Sequence, residues 1–317
     1  MKKYSYIFLA ISILFFSCKK EEIELPMQEI STGTTQTIYD IDFASPNTGF
    51  AVGGEKFVSN VILKTIDGGQ SWILDESVEG QSLLGIDMLS DSVAFATGRG
   101  GQVLRTLDGG LFWDAFQHNS YAEFTDISAF DIDKSVVVGS RNDTGVLMMS
   151  QSEWWIFDWE QQEEVMYKTL FVNEYKGWAM GNGFLKKTTN GGATWHYSEA
   201  KNDRFISIDF PTQDVGFVCG FQGSIWRTID GGNSWHEIEK NNKVFAKRTH
   251  FLDIDFWDEN LGMVVGHDGA IYYTDNGGDD WQKVKMNSSS VLRAVAFADE
   301  STIIVTGNGG KMWQILL

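Results

Sequence analysis

Apolar and polar positions alternate with a period of two over a series of short runs. The clearest are Ile38-Tyr-Asp-Ile41-Asp-Phe43, Phe205-Ile-Ser-Ile208-Asp-Phe210 and Phe251-Leu-Asp-Ile254-Asp-Phe256. Leu83–Met88, Phe124–Phe130, Tyr167–Val172 and Arg293–Phe297 are weaker copies. This period predicts half-buried strands, here called strand A. A second run is apolar and closed by Gly, a residue suited to positive φ. It recurs as Phe50–Gly53, Phe95–Gly98, Val136–Gly139, Trp178–Gly181, Phe217–Gly220, Met263–Gly266 and Ile304–Gly307, and predicts strand B. Strand C follows, as in Ile62–Thr65, Val103–Thr106, Ile225–Thr228 and Ile271–Thr274.

Each of these C strands runs into a repeated phrase. It reads Thr65-Ile-Asp67-Gly68-Gly69-Gln-Ser-Trp72, then Thr106-Leu-Asp108-Gly109-Gly110-Leu-Phe-Trp113, then Thr188-Thr-Asn190-Gly191-Gly192-Ala-Thr-Trp195. It returns as Thr228-Ile-Asp230-Gly231-Gly232-Asn-Ser-Trp235 and Thr274-Asp-Asn276-Gly277-Gly278-Asp-Asp-Trp281. Strand D begins at the Trp. Four short antiparallel strands repeated about every 40 residues predict an all-β propeller. The seven B runs predict seven four-stranded blades. The chain stops after strand C of the last repeat, at Gly310-Lys-Met-Trp313-Gln. Met27 stands as far before Phe43 as Trp281 does before Phe297, so residues 27–33 are expected to supply the missing strand D and close the ring. Closure removes an exposed sheet edge. The third repeat departs from the pattern: Ser150-Gln-Ser-Glu-Trp154-Trp155 lacks both glycines and leads into Phe157 and Trp159. A reshaped blade edge is the simpler reading of that aromatic cluster, and a stacking surface for a partner or glycan the other.

Every residue of the phrase has a folding task. The side-chain oxygens of Asp67, Asp108, Asn190, Asp230 and Asn276 can accept hydrogen bonds from turn N–H groups. Gly-Gly permits left-handed dihedrals. Trp72, Trp113, Trp195, Trp235 and Trp281 are expected to bury against the next blade, each worth at most roughly 4–6 kcal/mol of apolar burial. A Ca²⁺ loop would need more carboxylates at alternate positions, so neither metal nor catalysis is expected of these residues.

The N-terminus reads differently. Lys2 and Lys3 precede an apolar stretch, Ile7–Phe16, too short to span a bilayer comfortably. It ends in Leu14-Phe-Phe-Ser-Cys18, which resembles the lipobox of bacterial lipoproteins, with Phe15 in place of the usual Leu. The expected organisation is a signal peptide over 1–17, lipidation at Cys18, a charged tether over 18–26 and a propeller over 27–317. The Lys-Lys-Glu-Glu tract suggests a cell-envelope lipoprotein, on the outer membrane. Cys219 then stands alone inside an apolar strand, where a buried inert thiol is expected.

The net charge of −18 argues against nucleic acid as a partner. No phosphate loop, nucleophile elbow or zinc spacing is present. His196 and His236, both next to a blade Trp, read as strand-surface positions. No cofactor is implied.

The Thr-x-Asp-Gly-Gly-x-Ser-Trp phrase resembles the Asp-box, or bacterial neuraminidase, repeat. The fuller unit, with Gly-Phe-x-Val-Gly and Gly-x-Ile-x-x-Thr before the box, resembles the photosystem II stability and assembly factor family. The resemblance covers nearly the whole chain after the signal peptide. It implies a non-enzymatic binding or assembly scaffold, and an arginine patch on one face.

Propeller topology puts the A–B and C–D turns on one face, and the B–C loops and D–A connections on the other. Five of the seven arginines map to the second face: Arg99, Arg141, Arg204, Arg248 and Arg293. Guanidinium groups there suit a protein partner, such as an acidic peptide or a free polypeptide C-terminus, or an anionic glycan. The competing reading pairs them with Glu76, Glu79, Glu163, Glu164, Asp203 and Asp268 on the same face. The enzymatic alternative is a sialidase-like glycosidase, which needs three convergent arginines, a Tyr nucleophile and a carboxylate pair. Tyr39 and Tyr167 lie in strand A runs, though not in those of the last three repeats. A monomeric, non-enzymatic scaffold is the expectation.

Overall fold

The computed structural model of the protein describes residues 22–75, 77–118, 121–150, 157–238 and 249–317, with the backbone alone for 157–161. Cys18, Arg248, Glu76, Trp154 and Trp155 lie outside the described residues.

The strands form six antiparallel sheets around a closed ring. Sheet I holds Ile38–Phe43, Gly49–Glu55, Ser59–Thr65 and Ile73–Asp75. Sheet II holds Leu83–Met88, Ala94–Gly98, Gln102–Thr106 and Asp114–Gln117, and sheet III holds Glu123–Asp131, Lys134–Arg141, Thr144–Ser150 and Phe157–Gln162. Sheet IV has six strands: Met166–Phe171, Gly177–Thr188, His196–Asp209, Gly216–Gly220, Ile225–Thr228 and His236–Glu237. Sheet V holds Phe251–Phe256, Gly262–Gly266, Ile271–Thr274 and Gln282–Lys283. Sheet VI holds Leu292–Asp299, Thr302–Gly307 and Met312–Leu316, with Met27–Glu29 as its outer strand.

This corrects the expectation of seven four-stranded blades: there are six sheets, not seven. The physical reason lies in sheet IV. Gly177–Thr188 and His196–Asp209 each run on as continuous strands where the sequence pattern predicts a break, passing through the left-handed residues Gly183 (φ 85°) and Asn202 (φ 69°). Two strand B runs, Trp178–Gly181 and Phe217–Gly220, therefore share one sheet.

The strand A runs, including the second one of sheet IV at the end of His196–Asp209, line the ring axis, and their polar alternate positions face it. Their carboxylates bind the backbone of the next sheet. Asp40 Oδ2 accepts from Ile86 N (3.1 Å) and Asp42 Oδ2 from Met88 N (2.7 Å). Asp87 Oδ2 accepts from Ala129 N (2.6 Å), and Asp126 Oδ2 from Thr169 N (2.8 Å). Asp209, Asp253 and Asp255 do the same for Phe256 N, Val295 N and Phe297 N at 2.7–2.9 Å. Sheet VI has Ala294 and Ala296 at the equivalent positions. Its junction with sheet I is closed instead by the N-terminal segment: Gln28 pairs with Gln314, Ile30 N donates to Met312 O (2.9 Å) and Thr32 Oγ1 to Gly310 O (2.8 Å).

The box turns form one repeated network. Thr65 Oγ1 donates to Asp67 Oδ1 (2.8 Å) and accepts from Gly69 N (3.0 Å), while Ser71 N donates to Asp67 Oδ1 (3.0 Å). The same pattern holds at Thr106/Asp108, Thr188/Asn190, Thr228/Asp230 and Thr274/Asn276. These hydrogen bonds hold the exposed Asp108 carboxyl below the usual carboxylate range, and at the half-buried Asp67 they outweigh burial and do the same. The Trp rings pack between their own sheet and the preceding one, not the next. Trp72 joins a core with Ala294 and Ile304 of sheet VI, and Trp113 one with Phe50 and Val52 of sheet I. The Gly-Gly turn carries each Trp back toward the neighbour it follows: a Cβ on Gly69 would stand 2.5 Å from Ile304 Cδ1.

Candidate functional site

The inner strands enclose a polar channel that opens into a wider mouth. Asp40, Lys168 and Asp253 line both, so they form the floor of the mouth and the roof of the channel. The mouth, a cavity of about 250 Å³, is ringed by Tyr39, Tyr167, Arg204, Phe221, His267 and Arg293.

Arg204 sits where strand D becomes strand A within His196–Asp209. Its guanidinium lies between two rings, 4.6 Å from the centre of Tyr167 and 5.2 Å from that of Phe221. Such stacking fixes the plane of a guanidinium without consuming its N–H donors. Phe221 is in turn stacked on His250 (4.3 Å), whose Nδ1 is 2.6 Å from the Phe221 carbonyl oxygen. Across the mouth, Arg293 lies over Tyr39 (5.6 Å), and its Nε donates to Asn308 Oδ1 (2.8 Å). Burial draws the Arg293 pKa down from its ordinary value. His267 is also held low, first by burial and then by His250 and Arg293, against a smaller opposing pull from Asp268.

The five sequence-predicted arginines do not form one group. Arg204 and Arg293 share the mouth, and neither guanidinium has a carboxylate partner among the described residues. Arg99 lies away from the mouth, in the turn Arg99–Gly101, where it pairs with Glu123 and donates to Ser82 Oγ (3.1 Å). Arg141 is exposed at the tip of the hairpin in sheet III. Of the acids expected to neutralise them, Glu164 instead binds Lys186 and the Tyr197 hydroxyl. Asp203 is buried and folds its own loop, accepting from Gln222 N (2.8 Å) and Ser224 Oγ (2.6 Å).

Lys168 is not among the sequence-predicted site residues. Its Nζ is 3.2 Å from Asp40 Oδ2 and 3.1 Å from Asp126 Oδ1. Burial alone would lower its pKa, but Asp126, Asp40 and Asp253 outweigh burial and raise it well above the ordinary lysine value. Deeper in the channel, among the described residues, no cation pairs directly with the carboxyls, and Lys168 acts on Asp42 and Asp87 only at a distance. Burial lifts Asp42 to about 6, Asp87 to about 8 and Asp209 to about 7, and pushes Asp255 well up. The signal for this ring is present in the Asp-Ile-Asp-Phe runs, whose polar positions face a channel because the strand A runs line the ring axis.

The mouth is therefore a cationic, aromatic-walled opening above a carboxylate-lined channel, with Lys168 between them. It can seat an anion on two guanidinium groups and pack apolar parts of the same molecule on four rings. Its floor carboxylates are committed: Asp40 accepts from Ile41 N, Ile86 N and Lys168, and Asp253 from Val295 N. Tyr39 and Tyr167 stand beside Arg293 and Arg204 at the rim, above these carboxylates. Cys219 is buried and burial raises its thiol pKa well above the ordinary value, which leaves it unreactive.

The sequence model of the family described as photosynthesis system II assembly factor YCF48 matches residues 19–121 and 146–247. The photosystem II assembly lipoprotein Ycf48 of Synechococcus sp. (strain CC9902) is 31% identical over 107 residues, which cover 32% of each protein. The match thus spans about a third of that relative's length. Among solved structures, YCF48 bound to D1 peptide superposes with a TM-score of 0.72 at 19% identity, over 94% of this chain and 100% of the other. YCF48 from Cyanidioschyzon merolae gives 0.71 at 18% identity, over 92% and 98%. The WD40 β-propeller domain of Doa1 gives 0.68 at 12% identity, over 92% and 97%, so the likeness to these structures is one of propeller fold. With its family model matched over more than half its length, this chain belongs to the photosynthesis system II assembly factor YCF48 family.

Proposed function

We propose that this protein is a non-enzymatic, lipid-anchored scaffold of the cell envelope that captures an extended protein segment at the channel mouth. The observation that carries the reading is Arg204, clamped between Tyr167 and Phe221 with no carboxylate partner among the described residues, facing Arg293 across the same opening. In a protein of net charge −18, two guanidinium groups left unneutralised in one cavity form an anion-binding surface. Lys168 offsets the carboxylates beneath and keeps an incoming anion from meeting bare negative charge. A peptide C-terminus or an acidic side chain would lie on Arg204 and Arg293, with neighbouring apolar groups against the aromatic walls. A solved relative is described as bound to D1 peptide, and a curated relative is named a lipoprotein; both support this reading. Cys18 is the proposed lipid-bearing residue.

The test is a screen of immobilised peptides with free C-terminal carboxylates against the native protein and against Arg204→Glu/Arg293→Glu. Peptides retained by the native protein are expected to lose at least tenfold in affinity on the double variant. An unchanged binder set would overturn the proposal.

A further inference from the structure

Residues 18–26 are charged and are expected to form a tether, yet the described part of that segment is docked. Ile23 pairs in parallel with Val284: its N–H donates to Lys283 O and its carbonyl accepts from Lys285 N, both at 2.9 Å. Ile23 thus adds an outer edge to sheet V. Three residues on, the Pro26 carbonyl accepts from Leu316 N (2.9 Å), and Met27–Glu29 becomes the outer strand of sheet VI. Ile23, Leu25 and Met27 face inward on the core of Val284, Trp313 and Ile315, while Glu22 and Glu24 point outward and pair with Lys283 and Lys285. The segment is a strap across the outer edges of sheets V and VI.

The strap fixes where the N-terminal segment leaves the propeller. Cys18 is four residues before Glu22, so its reach from the docked strap is at most about 14 Å, roughly half that of the full tether. We propose that the strap turns the outer edge formed by sheets V and VI toward the lipid surface. The ring axis then lies along the membrane plane and the mouth opens sideways. This inference rests on the reading of Cys18 as lipid-bearing, stated above. A peptide would then reach the mouth along the membrane plane.

The full-length lipidated protein, bound to phosphatidylglycerol/phosphatidylethanolamine vesicles carrying a headgroup quencher, tests this. One fluorophore is placed at Asn287→Cys, exposed beside the strap, and another at Ala115→Cys, on the outer strand of sheet II across the ring. Quenching at Asn287 is expected to exceed that at Ala115 at least threefold. A ten-residue Gly-Ser insertion between Lys20 and Glu21 is expected to erase the difference. Equal quenching at both sites with Cys18 lipidated would overturn the orientation alone. Absence of incorporated palmitate, or its retention in Cys18→Ala, would overturn the anchor reading and the orientation with it.

Discussion

The ammonium of Lys168 stands 3.2 Å from Asp40 Oδ2, although 128 residues separate them in sequence. Lys168 belongs to sheet IV and Asp40 to sheet I, so the contact crosses the channel. The lysine is the local counter-charge for a floor of buried carboxylates, and its side chain is only 23% exposed. Lys168→Met removes that charge and leaves Asp40 and Asp126 facing each other. Breaking such a pair costs on the order of 3 kcal/mol, the lower end of the range for buried pairs, because the site keeps some contact with solvent. The midpoint of urea unfolding at pH 7 should fall accordingly. Lowering the pH to 5 should recover part of the loss, since protonation removes the uncompensated charge. A midpoint unaltered by the substitution would show that the carboxylates need no internal cation.

The channel also sets a pH dependence. Asp42 and Asp253 are raised to about 6, Asp126 and Asp209 to about 7 and Asp87 to about 8, each mainly by burial. In the unfolded state these groups titrate near 3.9. Between those limits the folded state binds more protons, so stability is greatest below the window and declines as pH rises through about 6 to 8. Asp67 and Asp108 are shifted the opposite way, and their contribution fades only in stronger acid. The raised pKa of Lys168 acts above the ordinary lysine range, outside this window. The urea midpoint should therefore drop between pH 5 and pH 8. Asp87→Asn keeps an acceptor for Ala129 N but cannot ionise, so it should flatten the slope and raise the urea midpoint at pH 8 above that of the native protein. A midpoint that rises with pH would contradict the assignment.

What the sequence could and could not disclose follows from the range of the interactions. Thr65, Asp67 and Gly69 bond within one turn, so the same residue types must recur in each copy, and the repeat is legible. Whether consecutive strands end at a turn or run on depends on single residues such as Gly183 and Asn202, which carry no distinctive pattern, and a sheet count taken from the strand B runs fails there. The alternation of Ile23, Leu25 and Met27 is visible but lies beside a charged tract that reads as a tether. The split among the arginines is not legible at all. Arg99 meets Glu123 while Arg204 meets two rings, and both contacts form only once the ring is closed.

The box network makes a prediction of its own. Thr228 is fully buried; its hydroxyl donates to Asp230 Oδ1 (2.8 Å) and accepts from Gly232 N (2.8 Å). Thr228→Val preserves shape but leaves the Gly232 N–H without its acceptor inside the fold. The cost should be about 1–2 kcal/mol in unfolding free energy. Asp230→Asn should be nearly neutral, because Asn190 and Asn276 already make the same bonds in their turns. Equal losses from both variants would mean that charge, not turn geometry, holds the network.

The mouth predicts a distinction between arginine and lysine. Arg204 is held in plane by Tyr167 and Phe221, and its value to a ligand lies in parallel N–H donors presented at a fixed angle. Lysine keeps the charge but has neither the plane nor the fork. Arg204→Lys should weaken binding of a free-carboxylate peptide found in the screen by about tenfold, the equivalent of roughly 1.4 kcal/mol. The same variant should bind a C-terminally amidated version of that peptide no worse than the native protein does. Fluorescence anisotropy at 50 and 200 mM salt separates the two contributions, since simple charge attraction weakens with ionic strength whereas the directional bonds weaken less. If Arg204→Lys binds the acid peptide as tightly as the native protein, the mouth attracts anions only by its charge. The aromatic clamp would then serve the fold and not the ligand.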